Sequence, residues 1–359
     1  MEPIKFGIIG GGWRTTFFLQ IARQLSERFQ VGGLLVRNAE KRQELEARWG
    51  IPAYRTLDEL LSVPNLQFVV VCVSWPATPE FLKELAARNI PALAETPPAP
   101  DLEGLISLVP LIKAGAKIQV AEQYQFQPLH AARLALARSG KLGTITQAQI
   151  SIAHGYHGMS LMRKFLDTRF DSVTITAQSF TAPLVAGISF DGQLPAEEKI
   201  EPSRQVIAYL DFHGKLGIFD FTYDQYFSWV RSPRMLIRGE RGEINNTQVR
   251  YLEDFRTPIT FDLQRQNAGE NGNLEGYYLK GIQGGNEWIY QNPFVPGRLS
   301  DDEIAIASCL DHMARYVAGG SPFYDLAEAA QDHYLSMMIN QAITTGEPVH
   351  ASIQPWSQI

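Results

Sequence analysis

The sequence predicts an α/β fold, in which an N-terminal doubly wound parallel sheet precedes an α+β domain with a large, mostly antiparallel open sheet. The chain begins with an apolar strand, a glycine cluster and an amphipathic helix, all within residues 4–25. Strands and helices then alternate up to residue 122, which is typical of a parallel sheet with helical crossovers. Beyond that residue, β-branched and aromatic runs replace the alternation. We therefore expect two domains, 1–122 and 123–359.

Composition and charge narrow the classes of function. The 359 residues are 45% hydrophobic and 19% charged, with a formal net charge of -6, as in an ordinary globular protein. No basic run with interleaved aromatic residues is present, so we expect no nucleic-acid partner. The first strand starts too close to Met1 for a signal peptide, and no apolar run reaches membrane-spanning length. We therefore expect a cytoplasmic protein with no membrane partner.

The two cysteines and the histidines give no indication of a metal. Cys72 and Cys309 lie in apolar segments, which is typical of buried thiols rather than of a disulfide. No spacing of His, Cys, Asp and Glu matches a metal site, so we predict none.

The glycine cluster after the first strand predicts a phosphate-binding turn. Such a turn points backbone N–H groups and the positive end of a helix dipole at one spot, which suits a pyrophosphate. In the GxGxxG pattern, Gly10 and Gly12 occupy the first two glycine positions, whereas Thr15 stands at the third. A glycine turn without a ligand is the alternative, but the strand before it and the helix after it favour a dinucleotide.

The second strand, predicted over Val31–Val36, bears on the choice of dinucleotide. An Asp or Glu at its end usually binds the adenosine ribose and repels a 2′-phosphate. Here Arg37 follows the strand, and together with Arg14 it can form charge-assisted bonds to a 2′-phosphate. We therefore expect NAD(P) as cofactor and favour NADP over NAD. The alternative is that Arg37 stacks on adenine or is solvated.

The other N-terminal elements follow from their start signals and apolar runs. Thr56 and Glu59 form a capping box that opens a helix over Leu57–Leu61, and Thr78 followed by Pro79 predicts another helix N-cap. A further helix is predicted over Asp101–Ile112, and strands over Phe68–Val73, Ala92–Ala94 and Ile118–Ala121. In such a sheet the ligand lies over the carboxyl ends of the strands.

The second domain begins with a predicted helix over Leu129–Ala137. The predicted strands are Ile145–Ile152, Ser172–Phe180, Val206–Phe212, Leu216–Tyr223, Arg234–Arg238 and Gln248–Leu252. His213, Gly214 and Lys215 predict a hairpin turn. Residues 267–300, rich in Gly and Asn, predict a long loop near a site. The closing helices are predicted over Asp301–Val317 and Asp325–Thr345.

The order of these elements and several motifs together resemble the glucose-fructose oxidoreductase and inositol dehydrogenase family, Gfo/Idh/MocA. The motifs are GIIGGG, GIPAYRTLDELL, AETPPAP, RSGKLGTI, HGYHGMSLMRKFL, IRGERGEI and AEAAQDHYLSMMINQAITTGEPV. The resemblance implies a Rossmann domain, a second α/β domain whose open sheet often buries one face in an oligomer, and hydride transfer between NAD(P) and a sugar or polyol. A homo-dimer or homo-tetramer through the C-terminal sheet is therefore expected.

The resemblance also locates the positions that handle protons in the family. Members typically carry Glu-Lys-Pro at the end of a Rossmann strand, and this sequence has Glu95, Thr96 and Pro97. They also carry an Asp four residues before a His at a helix start, which correspond here to Ala153 and His157. A positioned acid or base contributes about 10²- to 10⁴-fold in rate, so the replaced Lys and Asp must be compensated by other residues in an active dehydrogenase.

Candidate site residues follow from these positions. His157 is the leading acid/base candidate because an imidazole titrates near neutral pH. Tyr124 and Lys164 are further catalytic candidates, Lys164 because it follows His157 by seven residues on one helix face. A helix cap, packing and a solvated side chain are the respective alternatives. The predicted cofactor-binding residues are Gly10, Gly12, Trp13, Arg14, Arg37, Ser74, Glu95, Thr96 and Pro97. The predicted substrate-binding residues are Gln123, Tyr124, His154 and Tyr156.

Residues 221–234 are dense in aromatic residues and arginine and form a further candidate site. Its candidate sugar-stacking residues are Tyr223, Tyr226 and Trp229, and its candidate anion ligands are Arg231 and Arg234. The alternative is that these residues cover a sheet face or an oligomer interface.

Three functions are compatible with these features. The first is an NAD(P)-dependent oxidoreductase that acts on a sugar, polyol or related carbonyl compound, with His157 as proton donor or acceptor. The second is a glycoside-cleaving enzyme or lyase that uses NAD transiently and forms product without net NAD(P)H turnover. The third is a non-catalytic dinucleotide or sugar sensor. The first is our working hypothesis.

Overall fold

The computed structural model describes residues 2–358. Its N-terminal sheet consists of β1 (Ile4–Ile9), β2 (Phe29–Leu35), β3 (Ala53–Tyr54), β4 (Phe68–Val71), β5 (Ala92–Ala94) and β6 (Ile118–Val120). The strands are parallel and lie in the order β3-β2-β1-β4-β5-β6. This order confirms the predicted doubly wound sheet. Its two halves diverge between β1 and β4, and a crevice for a ligand opens there at the carboxyl ends of the strands.

The helices of this part are α1 (Trp13–Gln24), α2 (Ala39–Trp49), α3 (Leu57–Leu61), α4 (Thr78–Ala87), α5 (Leu102–Ser107) and α6 (Val109–Lys113). The capping box of Thr56 and Glu59 is confirmed. Thr78 is the first residue of α4 rather than its cap, because a short 3-10 helix leads directly into α4. The single helix expected over 101–112 is interrupted at Leu108, since Pro110 cannot donate a hydrogen bond to the preceding turn.

The second sheet has eleven strands: β7 (Ile145–Ser151), β8 (Val173–Val185), β9 (Ile200–Asp211), β10 (Leu216–Thr222), β11 (Arg234–Gly239), β12 (Gly242–Asn245), β13 (Gln248–Leu252), β14 (Pro258–Ala268), β15 (Tyr278–Gly284), β16 (Glu287–Gln291) and β17 (Val349–Ala351). Their order is β16-β15-β14-β13-β12-β11-β7-β10-β9-β8-β17. β7 and β10 pair in parallel, and the other neighbours pair antiparallel. The mostly antiparallel sheet is confirmed, and His213 lies in the β9–β10 hairpin with φ +57°.

The long loop expected over residues 267–300 is wrong, because this segment contains β15 and β16. Two of its glycines, Gly281 and Gly284, belong to β15 rather than to a loop. A Cβ on Gly281 would lie 2.2 Å from the carbonyl oxygen of Tyr290 on β16, so the close approach of the two strands requires glycine there. Glycine content alone therefore gave a misleading signal.

One face of the second sheet is covered and the other is open. The remaining helices are α7 (Pro128–Arg138), α8 (Gly155–Leu166), α9 (Asp301–Val317) and α10 (Leu326–Thr345). Met162 of α8 packs so closely on β10 that a Cβ on Gly217 would lie 2.2 Å from its sulfur. On the opposite face, Phe180 and Tyr209 are half exposed and Ile207 lies beside them. Within residues 2–358, no helix combines the length and apolar character that crossing a bilayer requires.

Candidate functional site

A cleft of about 1430 Å³ lies at the carboxyl ends of β1, β4, β5 and β6 and extends to the second sheet. Segments that follow these four strands form its floor, and segments that follow β7 and β10 form its opposite wall. The cleft thus occupies the position expected for a ligand of a doubly wound sheet. The predicted cofactor residues that line it are Gly10, Gly12, Trp13, Arg14, Ser74, Glu95, Thr96 and Pro97. All four predicted substrate residues, Gln123, Tyr124, His154 and Tyr156, line it as well.

The glycine turn forms one end of the cleft. Gly10 has φ +133°, and a Cβ there would lie 2.2 Å from the carbonyl oxygen of Cys72, so the turn itself requires glycine. A Cβ on Gly12 would have no protein atom within 4 Å, so no protein contact explains that glycine. Gly12 is also the N-cap of α1 and offers no side-chain cap, which leaves the N–H groups of the first turn free. These features fit a pyrophosphate that approaches the backbone closely.

Arg14 points to the middle of the sheet rather than to the adenosine end. Its Nε donates to Glu95 Oε1 at 2.8 Å, and its Nη1 lies 3.6 Å from Asp302 Oδ2. Burial alone would lower its pKa, but the two carboxylates outweigh that effect and raise it. Glu95 follows β5, three strands away from β2, which corresponds to about 14 Å at ordinary strand spacing. The expectation that Arg14 joins Arg37 on a 2′-phosphate is therefore wrong.

Arg37 follows β2, where a dinucleotide-binding fold recognises the adenosine ribose. Its guanidinium carbon lies 5.2 Å above the ring of Phe81, and the side chain is exposed. It does not line the cleft itself. Unlike Arg14, Arg37 makes no ion pair with a carboxylate within residues 2–358.

The imidazole of His157 is held by a carboxylate that the sequence analysis did not single out. Nδ1 of His157 and Oε2 of Glu122 are 2.6 Å apart, and Oε1 of Glu122 accepts a hydrogen bond from the backbone N–H of Tyr124 at 3.1 Å. Glu122 is fully buried, whereas His157 lines the cleft. Because Nδ1 is bound to Glu122, Nε2 is the nitrogen left to face a substrate.

Burial controls the protonation of this pair. It raises the pKa of Glu122 to about 8, with the hydrogen bond from Tyr124 acting in the opposite direction. It lowers the pKa of His157 to about 3, and the nearby charge of Arg14 adds to the effect. The pair therefore holds one proton at neutral pH, shared between two atoms 2.6 Å apart. We call Glu122 and His157 the dyad.

A second chain of polar groups crosses the wall of the cleft. The hydroxyl of Tyr226 accepts from the backbone N–H of His154 at 3.1 Å and lies 3.0 Å from Nδ1 of the same residue. It is also 3.2 Å from the hydroxyl of Tyr124, whose ring lies against His157 with centroids 4.6 Å apart. Burial lowers the pKa of His154 to about 3, so its imidazole is neutral. The cleft therefore presents two neutral histidines joined by tyrosines.

Tyr156 and Trp13 contribute aromatic surface to the cleft. The ring of Tyr156 lies 4.4 Å from that of His157, and burial raises the pKa of its hydroxyl. Trp13 is 63% exposed and meets the edge of Phe190, which comes from the segment between β8 and β9. Gln123 is buried, and its side-chain oxygen has no hydrogen-bond partner within residues 2–358. These groups leave apolar faces and an unused acceptor for a ligand.

Lys164 does not reach the cleft, contrary to the sequence-based expectation. Its Nζ lies 3.4 Å from Glu328 Oε2 and 5.3 Å from the centre of the Tyr324 ring, in a separate surface pocket. Seven residues return to the same helix face but advance about 10 Å along the axis. The cleft reaches only the first turn of α8, so Lys164 is an ion-pair partner rather than a group that contacts substrate.

The aromatic segment 221–234 is divided between the cleft and the surface. Tyr223 and Tyr226 line the cleft, and Tyr223 stacks on His154 with ring centroids 5.1 Å apart. Trp229 is 80% exposed, and Arg234 pairs with Asp220 at 2.6 Å beside a different pocket. Neither arginine of this segment therefore faces the cleft. No group of three or more His, Cys, Asp or Glu suited to a metal ion occurs among the described residues.

Comparison with known proteins identifies the N-terminal sheet and its helices. Residues 4–122 match the model of the Gfo/Idh/MocA oxidoreductase family, described as an NAD-binding Rossmann fold. Over these residues the chain is similar to that family. The match ends where the alternation of strands and helices ends, at Glu122. The family resemblance inferred from the motifs is thus confirmed. No curated protein matches the sequence at a significant level.

Solved structures share the fold over nearly the whole chain. An oxidoreductase from Agrobacterium radiobacter, in complex with NAD+, L-tartaric acid and magnesium, has a TM-score of 0.68 at 16% identity, covering 97% of this chain and 98% of that one. The WlbA dehydrogenase from Bordetella pertussis, in complex with NADH and UDP-GlcNAcA, has a TM-score of 0.63 at 16% identity, covering 98% and 100%. A myo-inositol dehydrogenase from Corynebacterium glutamicum has a TM-score of 0.63 at 16% identity, covering 98% and 99%.

The residues that match the family model supply the floor of the cleft, and segments of the second sheet supply its wall. Glu122, the last residue of the match, carries the carboxylate that holds His157 of the second part. An acidic residue directly after a buried parallel strand is a sequence signal that would have located it. His157 itself was found by its position at a helix start, but its partner lies 35 positions away in the chain.

Proposed function

We propose that the protein is an NAD(P)-dependent oxidoreductase that acts on a sugar, polyol or related carbonyl compound. The observation that carries the proposal is the dyad, which presents one imidazole nitrogen to the same cleft as the glycine turn. The match of residues 4–122 to an NAD-binding Rossmann fold supports the proposal, and segments of the second sheet complete the cleft over these residues. We further propose that the two sheets mark domains 1–122 and 123–359.

The roles of individual residues follow from their positions. Gly10, Gly12 and the start of α1 would hold the pyrophosphate, and Glu95, held by Arg14, would lie near the nicotinamide ribose. The bound nicotinamide supplies the hydride chemistry. While the dyad holds its proton, Nε2 of His157 carries an N–H and gives that proton to a carbonyl substrate; Nε2 accepts the hydroxyl proton of an alcohol substrate once the dyad has lost its proton, above about pH 8. Glu122 cannot touch substrate because it is fully buried, and it orients the imidazole through Nδ1.

Substrate hydroxyls would contact Gln123, Tyr124, His154 and Tyr156. The free side-chain oxygen of Gln123 supports this assignment, because a buried acceptor without a partner is costly unless a ligand satisfies it. The solved relatives were crystallised with L-tartaric acid and with UDP-GlcNAcA, both polyhydroxylated acids or their derivatives. NADP remains favoured over NAD through Arg37 alone.

The test is the His157→Gln variant. We expect it to bind NADH as wild type does while its rate of hydride transfer falls about 10²- to 10⁴-fold, measured by NAD(P)H absorbance across a panel of polyols and sugar acids. Tyr209→Phe, on the open sheet face, is the matched control and should retain activity. Product formation without net NAD(P)H turnover would indicate the lyase instead, and cofactor binding without any reaction would indicate a sensor.

We also propose that the open face of the second sheet forms a homo-dimer or homo-tetramer. Phe180, Ile207 and Tyr209 lie on this face of neighbouring strands and are partly or half exposed. Exposed apolar groups on adjacent strands are typical of an interface between subunits. Sedimentation of a monomer at micromolar concentration would contradict this proposal.

A further inference from the structure

Arg133 is a buried cation in the wall of the cleft. It belongs to α7 and is 3% exposed. Its Nε donates to the backbone carbonyl of Asn246 at 2.8 Å, and its Nη1 donates to Nδ1 of His130 at 3.0 Å. All three residues line the cleft. Within residues 2–358, the second terminal nitrogen, Nη2, has no protein acceptor.

The guanidinium of Arg133 has no carboxylate partner among the described residues, which distinguishes it from the other buried arginines. Arg14 lies against Glu95 and Asp302, and Arg163 lies against Asp332 at 2.8 Å and Glu328 at 3.5 Å. Burial lowers the pKa of Arg133 to about 10, and no nearby charge raises it again. Buried charges are ordinarily paired, because an isolated ion in a protein interior is costly. The missing counter-charge is therefore expected to come from a ligand.

His130 adds a second donor beside this cation. Its Nδ1 accepts from Arg133, and burial lowers its pKa to about 3, so the imidazole is neutral and carries its proton on Nε2. An Nε2–H group and a guanidinium side by side match the two oxygens of an oxyanion. The ring of Tyr124 neighbours both this pair and the dyad, with centroids 6.4 Å from His130 and 4.6 Å from His157.

We propose that the substrate carries an oxyanion, a carboxylate or a phosphate, that binds Arg133 and His130 while its reacting carbon lies at His157. This inference rests on the proposed function and names the substrate class for the same cleft. A substrate of this class spans the ring of Tyr124, with its anionic group on one side and its reacting hydroxyl or carbonyl on the other. Neutral sugars and polyols leave the charge of Arg133 unpaired and bind weakly.

The test compares neutral and anionic ligands on wild-type protein saturated with NADH. Glucose, glucuronate and glucose 6-phosphate are titrated at constant ionic strength set with chloride, and both calorimetric affinity and melting temperature are recorded. We expect at least one of the two anionic ligands to bind tenfold or more tightly than glucose, because a charge-assisted hydrogen bond distinguishes them. Glucuronate and the phosphate ester are separate arms that distinguish a carboxylate from a phosphate.

Variants locate the effect. Arg133→Gln should abolish the preference for the anionic ligand while NADH binding is retained, and Arg256→Gln, an exposed arginine, should leave the preference unchanged. If Arg133 serves only to hold the Asn246 carbonyl, Arg133→Gln lowers the melting temperature without changing the ratio of affinities, and the proposal is overturned. Should that variant not fold, the wild-type series decides alone.

Equal affinity for the neutral and anionic ligands, or no anion-specific stabilisation by either one, also overturns the proposal. Failure of NADH to bind wild-type protein would count instead against the proposed oxidoreductase. The titrations with sugars thus test the anion site, and the titration with NADH tests the proposed oxidoreductase.

Discussion

Replacing Glu122 with glutamine tests whether the dyad holds a shared proton. Glutamine keeps the shape of the side chain, and its oxygen and amide group can still serve the backbone N–H of Tyr124 and Nδ1 of His157. It cannot, however, bind or release a proton. The charges that act on Glu122 from neighbouring elements, Lys164, Asp302 and Arg14, remain in place. The variant therefore removes the titratable carboxyl group of residue 122 and changes little else.

The magnitude follows from proton counting. In the unfolded chain, Glu and His have both lost their protons above about pH 6.5. In the folded protein, burial raises the pKa of Glu122 to about 8, so the dyad keeps one proton up to that pH. The folded state thus binds more protons between pH 6.5 and 8, and its free energy of unfolding falls as pH rises, by about 1 kcal/mol over this window, because at each end of it one of the two groups is half titrated.

Below about pH 6.5 the dyad itself contributes no slope down to about pH 4.5, since the unfolded histidine then also holds one proton. The lowered pKa of His157, about 3, and the raised pKa of Glu122 have opposite effects on the number of protons that the folded protein binds there. The two effects cancel. The effect is therefore confined to the neutral and weakly alkaline range, where the protein is convenient to study.

The assay is urea unfolding at pH 6.5 and pH 8.0 on wild type, Glu122→Gln and the control Glu275→Gln, whose side chain is exposed. Wild type and the control should lose about 1 kcal/mol between the two pH values, whereas Glu122→Gln should lose none. If all three proteins show the same pH dependence, the dyad holds no proton above pH 6.5, and the proton shared between Glu122 and His157 is refuted.

Two further predictions concern the cofactor. Gly12→Ala should change the free energy of unfolding by less than about 1 kcal/mol and weaken NADH binding at least tenfold, because its Cβ meets no protein atom within 4 Å. Gly10→Ala should cost about 3 kcal/mol through its φ of +133° and its contact with Cys72, and equal stability losses in the two variants, measured by urea unfolding, would contradict this distinction. Arg37→Ser should weaken NADP binding about tenfold without affecting NAD, and wild-type protein that binds NAD more tightly than NADP in a fluorescence titration would contradict the preference.

The sequence predicted those parts of the fold that depend on local patterns. The capping box at Thr56 is formed by groups three residues apart, and the apolar run from Phe68 is buried whatever its neighbours are. The alternation of strands and helices then restricts the topology, because parallel strands need right-handed crossovers. Residues 267–300 show the limit of such patterns, because Gly281 is required by its neighbour β16, whose position no local pattern specifies.

The sequence allowed several residues of the site to be predicted one by one, but it did not show which of them contact each other. His157 was recognised, whereas its partner Glu122 reaches it only because β6 and α8 end at the same cleft. Arg133 sits in the sequence as an ordinary residue of an amphipathic helix, and its isolation from carboxylates exists only in three dimensions. Lys164 shares a helix face with His157, and its distance along the axis placed it in another pocket. The sequence alone therefore does not reveal contacts between side chains that belong to different helices and strands.

The arrangement explains how the cleft can tolerate Thr96 and Ala153 where the family resemblance places a lysine and an aspartate. The exchange removes one cation and one anion together, so the net charge of the cleft is unchanged. Ala153 is fully buried and has no carboxylate, so His157 has no acidic partner at that position. Glu122 approaches His157 from the Rossmann side instead, and it acts on Nδ1, which leaves Nε2 free. Under the proposed function, proton transfer then depends on one imidazole whose protonation is set by a buried carboxylate rather than by a neighbouring lysine.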